Sequence, residues 1–316
     1  MLSSLPGSAA RTFLDRLAVR RTDDAWLARA WDDPGTRIVV VADGRVLVRD
    51  AGDGVEPAWA APSAVSAGVR DHTFLTFLGA DGAGVRYFAT GPDCDTGAVF
   101  EGVSCRPSDG ASGLRLAPLL DLIGELPADR AELAAYAVAL DNWHRANRHC
   151  GRCGAATAVV SAGHMRRCPS CRTDHRPRTD PAVIMLVTDE RDRVLLARRA
   201  RAPYGRMSPP AGFVEPGETL EQAVVRELME EVGVPVTDVT YLTSQPWPFP
   251  AGLMLAFAAR AVRTDVTVDE DEIVAARWFT REELGAHVAT DTLILPPPGS
   301  VAAHLVERWY GSPPTS

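Results

Sequence analysis

The sequence predicts an α+β fold: strands packed around one amphipathic helix, preceded by a metal-binding ribbon and a β-rich N-terminal region. Three observations predict it. A loop-to-helix segment, Gly212 to Val234, carries three carboxylates on one face; two Cys-x-x-Cys pairs lie upstream; and short apolar runs separated by Gly-containing turns flank the cysteines on both sides. The expected domains are a β-rich region over 1–130, a linker helix with the ribbon over 131–178, and the sheet-and-helix domain over 179–316.

The composition fits a soluble globular chain. Its 316 residues suffice for two domains, with 46% hydrophobic and 23% charged residues. No run reaches the ~18–20 apolar residues of a membrane span. The N-terminal stretch lacks a basic region followed by an apolar core, so no secretory signal is expected and the cytoplasm is the default location. All 33 basic residues are Arg, a usage expected of GC-rich coding sequence. The net charge of −8 argues against general nucleic-acid binding by the whole molecule. The charge is uneven, however: from His144 to Arg178 there are eight Arg and one Asp, a local balance of +7.

In chain order, Arg37–Arg49 reads as two strands across Asp43-Gly44, and the run from His72 to Thr90 repeats the pattern around a Gly-containing loop. No catalytic motif occurs there. Cys94 and Cys105 are expected to be reduced bystander thiols. From Ala131 to His149, Leu133, Tyr136, Ala137, Leu140 and Trp143 recur at helical spacing and predict a packed helix.

That helix leads into Cys150 and Cys153, fourteen residues, then Cys168 and Cys171. Two such knuckles bring four thiolates around one Zn²⁺, and a hairpin spans the slightly short gap. With all four positions filled by protein, the site is structural rather than catalytic. The rival is a pair of redox dithiols.

Beyond Pro181, Ala182–Thr188 and Val194–Arg199 read as strands, with further strands near Val239–Leu242, Leu253–Val262 and Ile273–Phe279. Helices are expected over Arg281–Ala286 and Ser300–Trp309. Between them, Gly212, Pro216 and Gly217 punctuate a loop, Thr219 and Gln222 offer a capping box, and Gly233 stands where a left-handed C-cap belongs. Leu220, Ala223, Val224 and Leu228 form the buried stripe. Glu227, Glu230 and Glu231, at i, i+3 and i+4, share the other face. Three like charges so placed call for a cation, and oxygen-only ligands suit Mg²⁺ or Mn²⁺.

Gly212, Glu218 and the run Arg226-Glu227-Leu228-Met229-Glu230-Glu231-Val232-Gly233-Val234 match the Nudix box at every fixed position. The chain thus resembles the Nudix hydrolases, whose fold is a mixed sheet between helices. Downstream, Ser244–Pro250 reads SQPWPFP. Prolines at alternate positions argue against a regular central strand, so a rigid loop presenting Trp247 and Phe249 is expected. This motif, the four-Cys ribbon and the β-rich N-terminal region together resemble the NADH pyrophosphatase branch. Two positions depart from that pattern: Gly252 replaces the closing Ser, and Arg176 replaces an aromatic after the ribbon.

The resemblance implies hydrolysis of the pyrophosphate of NAD(H) to NMN(H) and AMP, removal of an NAD cap from RNA 5′ ends, or both. It implies Mg²⁺ or Mn²⁺ held by Glu227, Glu230, Glu231, Glu272 and the backbone of Ala211, with the first three catalytic. It implies substrate contacts from Phe213, Gln245, Pro246, Trp247, Pro248, Phe249, Pro250 and Ala302, with Phe213 and Trp247 stacking on the nicotinamide. A homodimer is the implied assembly, and Arg226 is expected to orient the glutamates by pairing. The competing class is a non-catalytic zinc-ribbon regulator that binds nucleic acid and keeps a Nudix fold.

Overall fold

In the computed structural model, the described residues are 13–52, 54–65, 75–91, 113–268 and 270–311. Cys94 and Cys105 lie outside them. The chain divides into two compact units, one of Ala9–Thr179 with Pro248–Ala251, the other of Asp180–Trp247 with Gly252–Ser316.

The first unit opens with helix α1 (Asp24–Asp32), whose first turn is capped by the Asp23 carboxylate accepting from Trp26 N–H. Seven strands follow: β1 (Arg37–Ala42), β2 (Arg45–Ala51), β3 (Gly54–Pro57), β4 (Trp59–Ala60), β5 (Leu75–Ala80), β6 (Arg86–Thr90) and β7 (Leu114–Pro118). The order is β3-β2-β1-β6-β5, with β4 also on β1 and β7 also on β2. Asp43 and Gly44 both take positive φ, as the tight β1–β2 turn requires. Residues along β1 alternate between two cores. Val39 and Val41 pack with Leu133, Ala137 and Leu140. Ile38 and Val40 pack with Trp31, Phe77 and Phe88. The sheet is therefore apolar on both faces, with α1 covering one and α3 (Ala128–Ala146), which follows the short α2 (Leu119–Leu122), covering the other.

Helix α3 delivers the chain to a three-stranded ribbon, β8 (Ala158–Val160), β9 (Met165–Arg167) and β10 (Asp174–His175). A buried polar junction ties ribbon, helix and sheet together. Arg166 Nη1 donates to His144 Nδ1 at 3.0 Å, which leaves His144 Nε2–H to donate to the Gly163 carbonyl at 2.8 Å. His164 Nε2 bonds the Phe77 carbonyl at 2.7 Å. Burial, reinforced by the Arg166 charge, pushes His144 down to about 3, so this histidine is a neutral structural strut.

The second unit holds β11 (Asp180–Thr188), β12 (Val194–Arg199), β13 (Ala211–Phe213), β14 (Val236–Trp247), β15 (Gly252–Ala261) and β16 (Ile273–Phe279). The order is β14-β15-β11-β12-β16, with β13 on β11; β11 and β15 are parallel and the other pairs antiparallel. Alternation again separates two faces. Val183, Met185 and Val187 meet helix α4 (Leu220–Val232) through Ala223, Val224 and Leu228. Ile184 and Leu186 meet α5 (Arg281–Ala289) and α6 (Val301–Tyr310) through Leu284, Val288, Leu305 and Trp309. This is a mixed sheet between helices.

The expected loop over SQPWPFP is corrected. Ser244 to Trp247 continue β14 and pair with β15 out to Trp247 against Gly252. A proline is tolerated because β14 is the terminal strand of the sheet order, where a missing N–H takes no bond from the ladder. Only the tip, Pro248–Ala251, leaves the strand. It belongs to the first unit, where Asn142 Nδ2 donates to the carbonyls of Pro248 at 2.9 Å and Pro250 at 3.0 Å.

Candidate functional site

The sheet-and-helix unit carries its acidic site on α4. Thr219 and Gln222 form a reciprocal capping box, and Gly233 closes the helix in the left-handed region. The helix is thus fixed at both ends, and its carboxylates are placed by rigid backbone rather than by a loop. Glu227 and Glu231 are buried, whereas the Glu230 side chain is largely exposed.

Arg226 organises three of the neighbouring carboxylates. Its Nε and Nη2 grip Glu218 at 3.0 and 2.6 Å, while Nη1 reaches Glu227 and Glu230, each at 2.9 Å. Nη2 also donates to the Phe213 carbonyl at 2.8 Å, anchoring the end of β13. The fixed Glu218 is therefore a partner of Arg226, held further by the Glu215 N–H at 2.6 Å. Gly212 has a specific reason to be glycine. A Cβ there would lie 1.9 Å from the Glu227 carboxylate carbon, so the carboxylate fills the space a side chain would take.

Glu231 differs from its neighbours. It is 2% exposed, and neither carboxylate oxygen has a hydrogen-bond partner. Its nearest cation is Arg199 Nη2 at 3.6 Å. Burial, with the charges of Glu227 and Glu272 adding to it, pushes the Glu231 carboxyl up to about 7 against the pull of Arg199. Burial likewise raises Glu227, opposed by Arg226. Glu272 thus joins the cluster electrostatically, and its carbonyl accepts from Ala200 N–H at 2.8 Å beside the end of β12. A buried, unsatisfied carboxylate among others is costly unless a cation completes it, so the donor set fits a hard divalent ion. Glu227, Glu230, Glu231 and Glu272 would hold it. The carbonyl of Ala211 accepts from Arg199 Nη2.

The other predicted contacts separate. Phe213 lies at the end of β13 with its side chain 62% exposed, and Trp247 is half-buried at the end of β14. Gly252 comes so close that a Cβ would sit 2.9 Å from the Trp247 carbonyl oxygen, so the serine of the resembled pattern would need the strand end to move. Gln245 is fully engaged within its own unit: Nε2 donates to Gly299 O at 2.9 Å and Oε1 accepts from Val301 N–H at 2.7 Å. It caps α6 together with Ser300 and so positions Ala302. Pro246 is exposed on β14. Pro248 is buried and Phe249 packs on the core of the first unit, with Pro250 exposed on the same tip.

In the first unit the four cysteines converge, their Sγ atoms all within 4.8 Å of one another. Cys150 and Cys171 are 3.6 Å apart, Cys153 and Cys168 3.5 Å, close to the ~3.8 Å edge that Zn–S bonds of about 2.3 Å give a tetrahedron. The knuckles are built alike. Gly154 N–H donates to Cys150 O at 2.8 Å and Arg172 N–H to Cys168 O at 3.0 Å, each residue at positive φ. His175 Nε2 at 3.3 Å from Cys150 Sγ and Cys171 N–H at 3.4 Å from Cys168 Sγ supply outer contacts. Among the surrounding arginines, Arg145, Arg166 and Arg167 are engaged by side-chain bonds, while Arg148, Arg152, Arg172 and Arg176 are exposed.

Sequence reasoning missed Arg199, Gln245 as a cap, and the His144–Arg166 junction. For Arg199 a signal existed: Leu195, Ala197 and Arg199 alternate onto the α4 face of β12. The other two join residues 22 and 56 positions apart, and no local pattern marks them.

Known proteins match along most of the described chain. Residues 178–296 match the NUDIX domain, 145–175 the NADH pyrophosphatase zinc ribbon domain, and 35–143 the NADH pyrophosphatase-like rudimentary NUDIX domain. The NAD-capped RNA hydrolase NudC of Pseudomonas aeruginosa is 41% identical over 197 residues, covering 62% of this chain and 68% of that protein. The Escherichia coli protein of that name is 40% identical over 176 residues, 56% of this chain and 65% of its own. Human NAD-capped RNA hydrolase NUDT12 is 39% identical over 207 residues, 61% of this chain and 45% of its own. A NUDIX hydrolase structure from Nitrosomonas europaea aligns with a TM-score of 0.42 at 24% identity, over 52% of this chain and 94% of that one.

Proposed function

The chain belongs to the Nudix hydrolase family, in its NADH pyrophosphatase branch, and from that membership we propose that it hydrolyses the pyrophosphate of NAD(H) to NMN(H) and AMP. The observation that carries the reading is the carboxylate cluster on α4, with Glu231 buried and unsatisfied and Arg226 fixing its neighbours. Mg²⁺ or Mn²⁺ is the ion these ligands suit, and when bound it supplies charge neutralisation and Lewis-acid polarisation to the pyrophosphate. The chain's own residues supply the rest. Arg226 holds Glu218, Glu227 and Glu230 in one arrangement, so little reorganisation is needed as charge develops. The exposed ring of Phe213 and the half-buried Trp247 are the surfaces offered to the nicotinamide.

A second substrate form is favoured by a separate observation. The exposed Arg148, Arg152, Arg172 and Arg176 around the ribbon suit the phosphates of an RNA whose 5′ end is NAD-capped. The non-catalytic alternative has no use for a buried, unsatisfied glutamate. A homodimer and a cytoplasmic location are proposed from family analogy, the former to be checked by light scattering.

The test is product analysis with NADH and with NAD-capped RNA in Mg²⁺ or Mn²⁺. NMNH with AMP, and NMN released from the RNA, are expected, the RNA reaction weakening as salt rises. Absence of cleavage of both substrates overturns the reading.

A further inference from the structure

The end of strand β12 carries a feature that the fold does not require. The β12–β16 register slips between Arg198 and Arg199: Arg198 pairs with Ala275, but Arg199 with Ile273. The extra residue, Val274, lies on β16, so β12 keeps its two-residue alternation up to its end. That alternation parts two consecutive arginines. Arg198 lies over the Tyr204 ring, its guanidinium carbon 6.0 Å from the ring centre. Arg199 turns to the carboxylate site, where the same nitrogen, Nη2, bonds the Ala211 carbonyl and stands 3.6 Å from Glu231. Those are two of the five groups, one backbone oxygen and one buried carboxylate, that family resemblance assigns to the divalent ion. Arg226 does not compete for them: its bonds go to Glu218, Glu227, Glu230 and the Phe213 carbonyl.

We propose that Arg199 is a built-in counter-cation of the metal site, seated between Ala211 and Glu231 when no divalent ion is bound and displaced when one binds. The inference rests on the assignment of the divalent ion to these carboxylates. Its logic is electrostatic. A buried carboxylate without a cation is costly, and a guanidinium at the strand end offsets that cost in the ion-free protein. The guanidinium and a divalent ion then exclude each other from the same oxygens. Because the Arg199 side chain is 55% exposed, it has solvent to swing into. A binding-competent state that is only fractionally populated weakens apparent affinity by that fraction, so Arg199 sets the metal concentration at which the site fills.

The test is Mn²⁺ titration, read by electron paramagnetic resonance of the free ion, on zinc-loaded full-length native protein, Arg199→Gln and Arg199→Lys, with thermal melts of ion-free and Mn²⁺-saturated samples. The expected result is Mn²⁺ binding about tenfold tighter in Arg199→Gln, corresponding to a site that Arg199 blocks about nine-tenths of the time. The ion-free Arg199→Gln protein should melt lower than native and the Mn²⁺-saturated one alike, with Arg199→Lys between native and Gln in affinity. A folded Arg199→Gln protein with Mn²⁺ affinity equal to or below native overturns the proposal while leaving the metal assignment standing. If native protein takes up no Mn²⁺ that Glu231→Gln abolishes, the metal assignment and the proposal fall together.

Discussion

The four-cysteine cluster and the carboxylate cluster of this chain are built on opposite plans. The ribbon gathers four thiols of one kind within 4.8 Å, on two knuckles with matching backbone bonds and positive-φ residues. Helix α4 and the loop before it gather carboxylates that differ from one another: Glu218 and Glu227 gripped by Arg226, Glu230 exposed, and Glu231 buried without a hydrogen bond. A closed, uniform cage has no position left for a reactant and serves stability. An uneven, under-satisfied set has unspent electrostatic demand, which is what a site acting on pyrophosphate needs. The difference teaches where to look for chemistry: where satisfaction is incomplete, not where ligands are most numerous.

The sharpest way to break the comparison is Glu231→Gln. It should keep the fold and lose activity on NADH by ~10²–10³-fold or more, the usual scale for removing an electrostatic contribution at such a site. Near-native turnover at saturating Mg²⁺ would remove Glu231 from the machinery. Next in size is Gly212→Ala. The added Cβ meets the Glu227 carboxylate, which must shift. A displacement of about 1 Å at a catalytic group costs up to ~10²-fold, so a loss of ~10–100-fold with an almost unchanged melting temperature is expected. Steady-state kinetics beside calorimetry checks it.

The ribbon should answer in the other currency. About one Zn²⁺ per chain is expected, retained at EDTA concentrations that strip the carboxylate site, because structural zinc binding is part of folding free energy. Cys168→Ser should lose the zinc and lower the melting temperature, and any loss of activity should follow the loss of folded protein. Elemental analysis without zinc, or an unchanged melt, would undo the assignment.

How much of this was legible beforehand depended on range. The capping box, the glutamate face and both knuckles lie within stretches of a few residues, where spacing alone fixes geometry, and the structure reproduces them. The SQPWPFP segment was misread because its local signal, alternating prolines, has two structural outcomes. Whether a proline ends a strand or sits harmlessly on it depends on whether the strand is terminal in its sheet. That is settled by the pairing of β14 with β15 and no residue within the motif announces it. The capping role of Gln245 was missed for the same reason. Its partners, Gly299 and Val301, come from the far end of the chain.

The smallest expected effect is in pH. Glu231 is raised to about 7, above the ordinary carboxylate range, so the unfolded chain gives up this proton first as pH rises. Its contribution to the stability of the ion-free protein is fully present below the ordinary glutamate range and is lost as pH climbs through about 7. His144, lowered to about 3, works the opposite way: its contribution is present above the ordinary histidine range and is lost as pH falls toward 3. Melts of ion-free native and Glu231→Gln proteins across this range should therefore diverge from acid to neutral pH, the variant becoming the more stable. Parallel curves would mean that Glu231 is not held protonated by its surroundings.

Strand β14 carries a further consequence. Its register against β15 slips twice, between Thr237 and Thr240 and between Tyr241 and Thr243, and Pro246 removes one amide hydrogen near its end. Bulges and proline are the devices by which a terminal strand is made a poor template for another chain's backbone. A second copy is thereby discouraged from extending this sheet by strand addition. Copies of this chain that associate are left to do so through side-chain faces, and this border is guarded against fibrillar growth.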